Sequence, residues 1–169
     1  MITPLYDNPP AQPMSVAFRR ESDEEHLEPK FELPIPPGPN LVTARGLALI
    51  EARLAEIEAH LTTDLTEDER KAVLRDARYW RHQLTSTQIA PAPDGKTVAI
   101  GTVVTFVRGS GEQRTIEIVG HDEADPGADR VSFSAPLARA LIGAGVGEEV
   151  EFPVPGSLIR IAEVAVRAD

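Results

Sequence analysis

Apolar residues recur at helical spacing near the start of the proline-poor part of the chain. Intervals of three and four residues separate Leu47, Ile50, Leu54, Ile57 and Leu61. This spacing places apolar side chains along one face of an α-helix. The pattern therefore predicts an amphipathic helix, with Thr43 as its N-cap.

A second apolar stripe follows a short polar connector at residues 62–65. Its members, again three or four residues apart, are Val73, Ala77, Trp80 and Leu84. Thr66 stands ahead of the stripe with Glu69 three residues later, which is typical of a capping box. Because the connector is so short, the two helices are predicted to run antiparallel, as a helical hairpin or short coiled coil over residues 41–90. Each arm of about 18 residues would be roughly 27 Å long.

Beyond Pro91, apolar and polar residues alternate in short runs separated by turns. The runs lie at residues 102–107, 115–118, 131–134, 149–154 and 158–166. A period of two predicts β-strands, and a glycine turn at residues 109–111 predicts a hairpin between the first two. A short helix is predicted over residues 135–142, with Ser134 as its N-cap and Pro136 in its first turn. The fold class predicted for the chain is α+β, with an antiparallel β domain and one short helix over residues 95–167.

The first forty residues show neither period and hold nine of the fifteen prolines. They also carry seven acidic side chains against three basic ones. Proline removes backbone donors, and a charged segment with few apolar residues cannot build a core. Residues 1–40 are therefore predicted to be a disordered, acidic tail.

Composition then narrows the range of functions. The formal net charge of −10 argues against nucleic-acid binding through bulk charge, because phosphate contacts need a basic surface. The absence of cysteine excludes thiolate chemistry and, together with the lack of a secretory signal, favours a cytoplasmic location. No apolar run is long enough to cross a membrane, so no membrane association is expected.

Carboxylates cluster at the connector between the predicted helices. Asp64, Glu67 and Asp68 stand where the hairpin would turn, and carboxylate oxygens are the ligands that Mg²⁺ prefers. The same residues would also stabilise the start of a helix by complementing its dipole. Both interpretations, metal binding and helix capping, remain open for this cluster.

A second acidic segment, residues 121–125, joins two predicted strands. It contains His121 with Asp122, Glu123 and Asp125. Three carboxylates in one loop could form a docking surface for a basic partner. The alternative is an ordinary solvated turn.

Three ordered blocks of the chain, residues 118–126, 134–143 and 146–150, resemble the C-terminal domain of the GreA/GreB bacterial transcription elongation factors. The Thr-x-x-Gly pattern at residues 43–46 and the acidic segment at residues 64–68 are also similar to that family. The resemblance implies an FKBP-like fold for the β domain. It further implies docking to RNA polymerase at the rim of the secondary channel, with the hairpin reaching into that channel.

The resemblance also implies roles for individual residues. Asp64 and Glu67 would hold a catalytic Mg²⁺ shared with the polymerase and help it cleave backtracked RNA. Contacts with the polymerase are expected at Asp122, Glu123, Asp125, Ser134 and Pro136. The chain would then be no enzyme itself, have no cofactor of its own and touch nascent RNA only indirectly. It would act as a monomer, and the resemblance also implies the DNA binding attributed to the family.

The hairpin departs from the family in length, because its arms are several turns shorter than those of the cleavage factors. In that respect it resembles Rnk, the regulator of nucleoside diphosphate kinase. The alternative function is therefore a non-catalytic, Rnk-like regulator that binds polymerase and competes with longer channel factors.

Overall fold

The computed structural model describes residues 38–167. Most of the predicted acidic tail, residues 1–37, lies outside the described residues. Asn40, which the sequence analysis assigned to that tail, is buried and begins a strand. The tail therefore ends before Asn40.

Two helices form the first part of the described chain: α1, Ala44–His60, and α2, Glu67–Ser86. They pack against each other, and the guanidinium of Arg81 in α2 pairs with the Glu58 carboxylate in α1 at 2.7 Å. Closer to the connector, Arg70 donates to the backbone oxygen of Leu61. These contacts join residues on either side of the connector, so α2 returns along α1.

Both helices begin where the side chains predict. The hydroxyl of Thr43 accepts a hydrogen bond from the Gly46 amide, which caps α1. At α2, Thr66 and Glu69 form the reciprocal capping box. The faces that meet are buried at Ile50, Leu54 and Ile57 in α1 and at Ala77 and Gln83 in α2.

A two-stranded sheet joins the start of α1 to the end of α2, at the end of the helix pair opposite the connector. Strand β1, Asn40–Val42, precedes α1, and β2, Thr87–Ile89, follows α2. The two strands are parallel, with Asn40 opposite Thr87. Sequence patterns did not indicate this pairing, because each strand has only three residues.

The β domain is built on a five-stranded sheet. In chain order the strands are β3, Thr102–Arg108; β4, Gln113–Val119; β5, Arg130–Ser132; β6, Glu149–Glu151; and β7, Leu158–Val166. Their spatial order is β5-β4-β3-β7-β6. The sheet is mixed, since β4 and β5 are parallel, and the prediction of a purely antiparallel sheet was wrong. Residues 120–129 lead the chain back along β4, so that β5 begins opposite Glu117 and runs parallel to β4, which is not the direction of a hairpin.

Helix α3, Pro136–Leu141, packs against the interior of this domain. Pro136 occupies the first turn as predicted, but Ala135 is the N-cap and no side chain caps the helix. The N-cap prediction for Ser134 was therefore wrong. The domain core consists of Val98, Val104, Phe106, Ile116, Ile118, Ala138, Leu141, Ala144, Ile159, Ile161 and Val164.

Within residues 38–167, no helix is both long enough and apolar enough to cross a membrane.

Candidate functional site

The tip of the helix pair presents carboxylates to solvent. Asp64 is exposed in the connector, and Glu67, the first residue of α2, has a side chain that is 84% exposed. Lys71 lies one turn further on, with its Nζ 3.0 Å from Glu67 Oε1. The hydrogen bond and positive charge of Lys71 lower the pKa of Glu67. Glu67 is therefore an ionised carboxylate with a cation already beside it.

The tip can supply only part of a metal site. Among residues 38–167, no three His, Cys, Asp or Glu side chains are grouped so that they could hold a metal ion. Mg²⁺ requires six oxygen ligands in near-ideal octahedral geometry. The Mg²⁺ expected at Asp64 and Glu67 therefore stays a prediction.

The helices limit how far the tip projects. With 17 residues in α1 and 20 in α2, they extend about 26 and 30 Å at 1.5 Å per residue.

A polar joint holds the other end of the helices against the β domain. At its centre lies Glu123, whose side chain is only 1% exposed. Glu123 Oε1 accepts from Thr43 Oγ1 at 2.7 Å and from Arg45 Nε at 3.1 Å. Its other oxygen accepts from the backbone amide of Gly120 at 3.2 Å. One buried carboxylate thus links the start of α1 to the loop after β4.

Glu117 in β4 extends the joint towards the end of β7. Its Oε1 lies 3.1 Å from Nη2 of Arg45, and its Oε2 pairs with the guanidinium of Arg167. Glu117 and Glu123 together bind two of the three nitrogens of the Arg45 guanidinium. Arg45 is therefore fixed between the two carboxylates.

Asp122 secures the second helix. It accepts from the Tyr79 hydroxyl at 2.8 Å through Oδ1 and from Gln83 Nε2 at 3.0 Å through Oδ2. Burial and the hydrogen bond to Asp122 raise the pKa of Tyr79 to about 12. Both carboxylate oxygens of Asp122 thus accept hydrogen bonds from side chains of α2.

These contacts correct the expected role of the loop. Asp122 and Glu123 were expected to face a partner, but Glu123 is buried and Asp122 is half-buried against α2. Their carboxylates join the helices to the sheet. A partner could reach Glu123 only after the joint opened.

The remaining residues expected to contact a partner do lie at the surface. Asp125, half-exposed, pairs with Arg130 at 2.9 Å, and that contact lowers the pKa of the Asp125 carboxyl. Ser134 and Pro136 are exposed at the start of α3. The Ser134 hydroxyl lies 3.2 Å from Nδ1 of His121, so this surface adjoins the joint loop.

The sequence contained a signal for the joint at Gly46, but the Thr-x-x-Gly pattern alone did not reveal why a glycine is needed there. A Cβ atom at this position would lie 2.6 Å from Glu123 Oε2, which is too close for an undisturbed contact. The glycine of the Thr-x-x-Gly pattern therefore makes room for the buried carboxylate. Tyr79 and Gln83, polar residues four apart on α2, were a second signal, since i and i+4 share a helix face.

Comparison with known proteins identifies the β domain. Residues 92–166 match the family described as transcription elongation factor, GreA/GreB, C-term. This segment of the chain is similar to the C-terminal domain of the GreA/GreB factors. The matched GreA/GreB domain contains Glu117, Asp122 and Glu123, and therefore the sheet side of the joint.

Two curated relatives agree with this match. The transcription elongation factor GreA of Chelativorans sp. (strain BNC1) is 48% identical over 63 residues, which cover 37% of this chain and 40% of the relative. GreA of Staphylococcus aureus (strain JH9) is 36% identical over 94 residues, covering 54% and 60% of the respective chains. The matched segments thus span less than two thirds of either relative.

Solved structures of the family were also found. GreA factor homolog 1 of Thermus thermophilus is 18% identical, with a TM-score of 0.37 over 75% of this chain and 99% of that chain. The GreA/GreB factor of Nitrosomonas europaea is 22% identical, with a TM-score of 0.38 over 76% and 98% of the two chains.

Proposed function

We propose that this chain binds RNA polymerase through its GreA/GreB domain and modulates transcript elongation with the tip of its helix pair. The observation that carries the proposal is the family match over residues 92–166. The exposed carboxylates at the opposite end of the helices support it, because they could reach a partner's active centre while the domain stays docked outside.

In this proposal the domain has the FKBP-like form of its family and docks at the rim of the secondary channel. Ser134, Pro136 and Asp125 are the contact residues, because their side chains are exposed. The joint holds the antiparallel helical hairpin against the docked domain. The burial of Glu123 supports a fixed direction for the hairpin, since moving it would separate a buried carboxylate from its donors.

At the tip, Asp64 and Glu67 would supply carboxylate oxygens to a Mg²⁺ ion shared with the polymerase. Such an ion stabilises the charge that develops on the reacting phosphate. Glu67 must first leave Lys71, and this costs little because both side chains are exposed and water screens their attraction. The chain then assists cleavage carried out by the polymerase and is not itself the enzyme.

A second candidate is a non-catalytic regulator that occupies the channel and competes with longer factors. The ion pair between Glu67 and Lys71 favours it, because the lysine offsets charge that a shared metal would need. The short helices favour it as well, since a projection of about 26–30 Å limits how deeply the tip can enter.

Transcript cleavage in stalled, backtracked elongation complexes tests the proposal and separates the two candidates. If the chain stimulates cleavage, the Asp64→Asn, Glu67→Gln double variant should reduce the stimulated rate by about 100-fold. The matched control is Glu51→Gln with Asp76→Asn, which removes two exposed carboxylates from the sides of the helices.

The control variant should retain the full rate if the tip carboxylates act specifically. A wild-type chain that does not stimulate cleavage, but inhibits stimulation by added GreA, would instead support the non-catalytic candidate. A chain that neither stimulates cleavage nor interferes with GreA would contradict both.

A further inference from the structure

A cavity of about 390 Å³ lies beside the joint. Its walls come from the start of α1, the segment that follows β2, and the end of β7. This volume falls within the range of small-molecule sites, which often lie where two parts of a protein meet. Neither polymerase docking nor the tip carboxylates make use of it.

Most of the cavity wall is apolar. Ile89, Ile100 and Val166 line it together with the alanines and prolines of residues 90–93. Ile89 and Val166 are 60% and 49% exposed, although residues of this type are usually buried. An apolar ligand lying here would cover surface that is otherwise left in contact with water.

The charged residues in the cavity wall favour a negatively charged ligand. Arg45 and Arg167 line the cavity together with a single carboxylate, that of Glu117. Glu123 also pairs with Arg45, through Nε, but does not line the cavity. The wall therefore carries two positive charges against one negative charge, in a chain whose formal net charge is −10.

The guanidiniums also keep donor capacity. Arg45 Nη1 is buried beside the cavity, and within the described part of the chain no group accepts a hydrogen bond from it. The Arg167 side chain is 44% exposed, and Glu117 engages only its Nη1 in the contacts described above. An unpaired guanidinium nitrogen favours an anionic acceptor such as a carboxylate, because a charge-assisted hydrogen bond is stronger than one to a neutral group.

We propose that this cavity binds a small organic carboxylate with an apolar body. The carboxylate pairs with Arg45 and Arg167, and the body lies against Ile89, Ile100 and Val166. Because the wall includes the start of α1 and the end of β7, the ligand contacts the helix pair and the GreA/GreB domain at the same time. The proposal depends only on this cavity and stands apart from polymerase binding.

Titration of the full 169-residue chain with 2-naphthoate tests the proposal. Backbone amide resonances of cavity residues, such as Ala92 and Gly101, should shift and saturate. The neutral probe 2-naphthamide has the same rings without the charge, and it should bind at least about tenfold more weakly because the charge-assisted hydrogen bonds are lost.

Two variants locate the binding. Ala90→Phe adds a ring at a half-buried position in the wall and should abolish the shifts, whereas Ala52→Phe on the exposed face of α1 should leave them unchanged. Arg167→Gln keeps a polar side chain at an exposed position and should weaken 2-naphthoate binding about tenfold. Arg167→Gln keeps the test decisive even if Ala90→Phe does not fold.

Three results would overturn the proposal. The first is the absence of saturable shifts at the cavity residues in the wild-type chain. The second is equal binding of the acid and the amide, or binding unaffected by Arg167→Gln. The third is a set of shifts at the same residues that grows with protein concentration without any probe, which would show that a second copy of the chain covers the cavity.

Discussion

At the scale of the residue, Glu123 matters because one carboxylate serves donors from two parts of the fold. Thr43 and Arg45 approach it from the start of α1, and the Gly120 amide approaches it from the loop after β4. A buried charge is tolerated only when it is paired and hydrogen-bonded. Glu123 meets this requirement, because these groups all donate hydrogen bonds to it and Arg45 also supplies the opposite charge. The same burial prevents Glu123 from acting as a surface contact.

Replacing Glu123 with Gln should destabilise the protein by about 2 kcal/mol. The amide has nearly the same shape, but it loses the charge that Arg45 pairs with and places an N–H group among donors. Urea unfolding of the full chain measures this difference. The control Glu56→Gln breaks an exposed pair with Arg53 and should change stability by less than about 0.5 kcal/mol. Equal stability for Glu123→Gln and Glu56→Gln would mean that the joint contributes little.

Tyr79 makes stability depend on alkaline pH. Its pKa rises from 10.0 to about 12 in the folded protein, through burial and the hydrogen bond to Asp122, so the folded state retains the phenolic proton more firmly. This contribution is complete below about pH 10, the unfolded value, and is lost as pH rises towards 12. The unfolding free energy should therefore fall between about pH 10 and pH 12, and should fall less in Tyr79→Phe. An identical pH dependence in the two proteins would contradict the role given to the hydroxyl.

At the scale of the element, the capping box sets where α2 begins. Thr66 and Glu69 satisfy each other's backbone amides, and both are exposed at the tip. Their role is local, since the contacts that satisfy them lie within four consecutive residues. The tip carboxylates are thus held at the start of a well-defined helix.

Thr66→Ala should destabilise the protein by about 1 kcal/mol, because the amide of Glu69 loses its acceptor. Thermal unfolding monitored by circular dichroism can measure the change. Thr66→Ser retains the hydroxyl and should stay close to wild type. If serine and alanine are equally destabilising, the hydroxyl is not the stabilising group.

Element boundaries were predictable where the controlling contacts are local. Thr43 and Thr66 mark the helix starts, and alternation marks β3, β4 and β7 closely. The parallel pairing of β5 with β4 was not predictable, because it depends on how residues 120–129 cross the sheet. Three-residue strands such as β1 also carry too few side chains to show a period.

At the scale of the whole molecule, sequence reasoning found the resemblance to the GreA/GreB C-terminal domain but placed the acidic loop at the surface. Asp122 and Glu123 have the composition of a solvated turn, and only the closure of α1 and α2 over the sheet buries or covers them. Gln83 was missed for the same reason, because its buried partners come from outside its helix. Long-range burial decides these roles, and local signals such as Gly46 or the spacing of Tyr79 and Gln83 do not identify the partner.

If the chain acts on RNA polymerase as proposed, the surface that holds Ser134 and Pro136 should make the contact. Biolayer interferometry of the full chain against a polymerase elongation complex measures this binding. We expect saturable binding of one chain per polymerase, displacement by added GreA, and a loss of affinity in the Ser134→Arg, Pro136→Arg variant. The control Glu163→Arg, at an exposed position on β7, should bind like wild type. Absence of saturable binding, or binding that neither added GreA nor the double variant affects, would contradict the account.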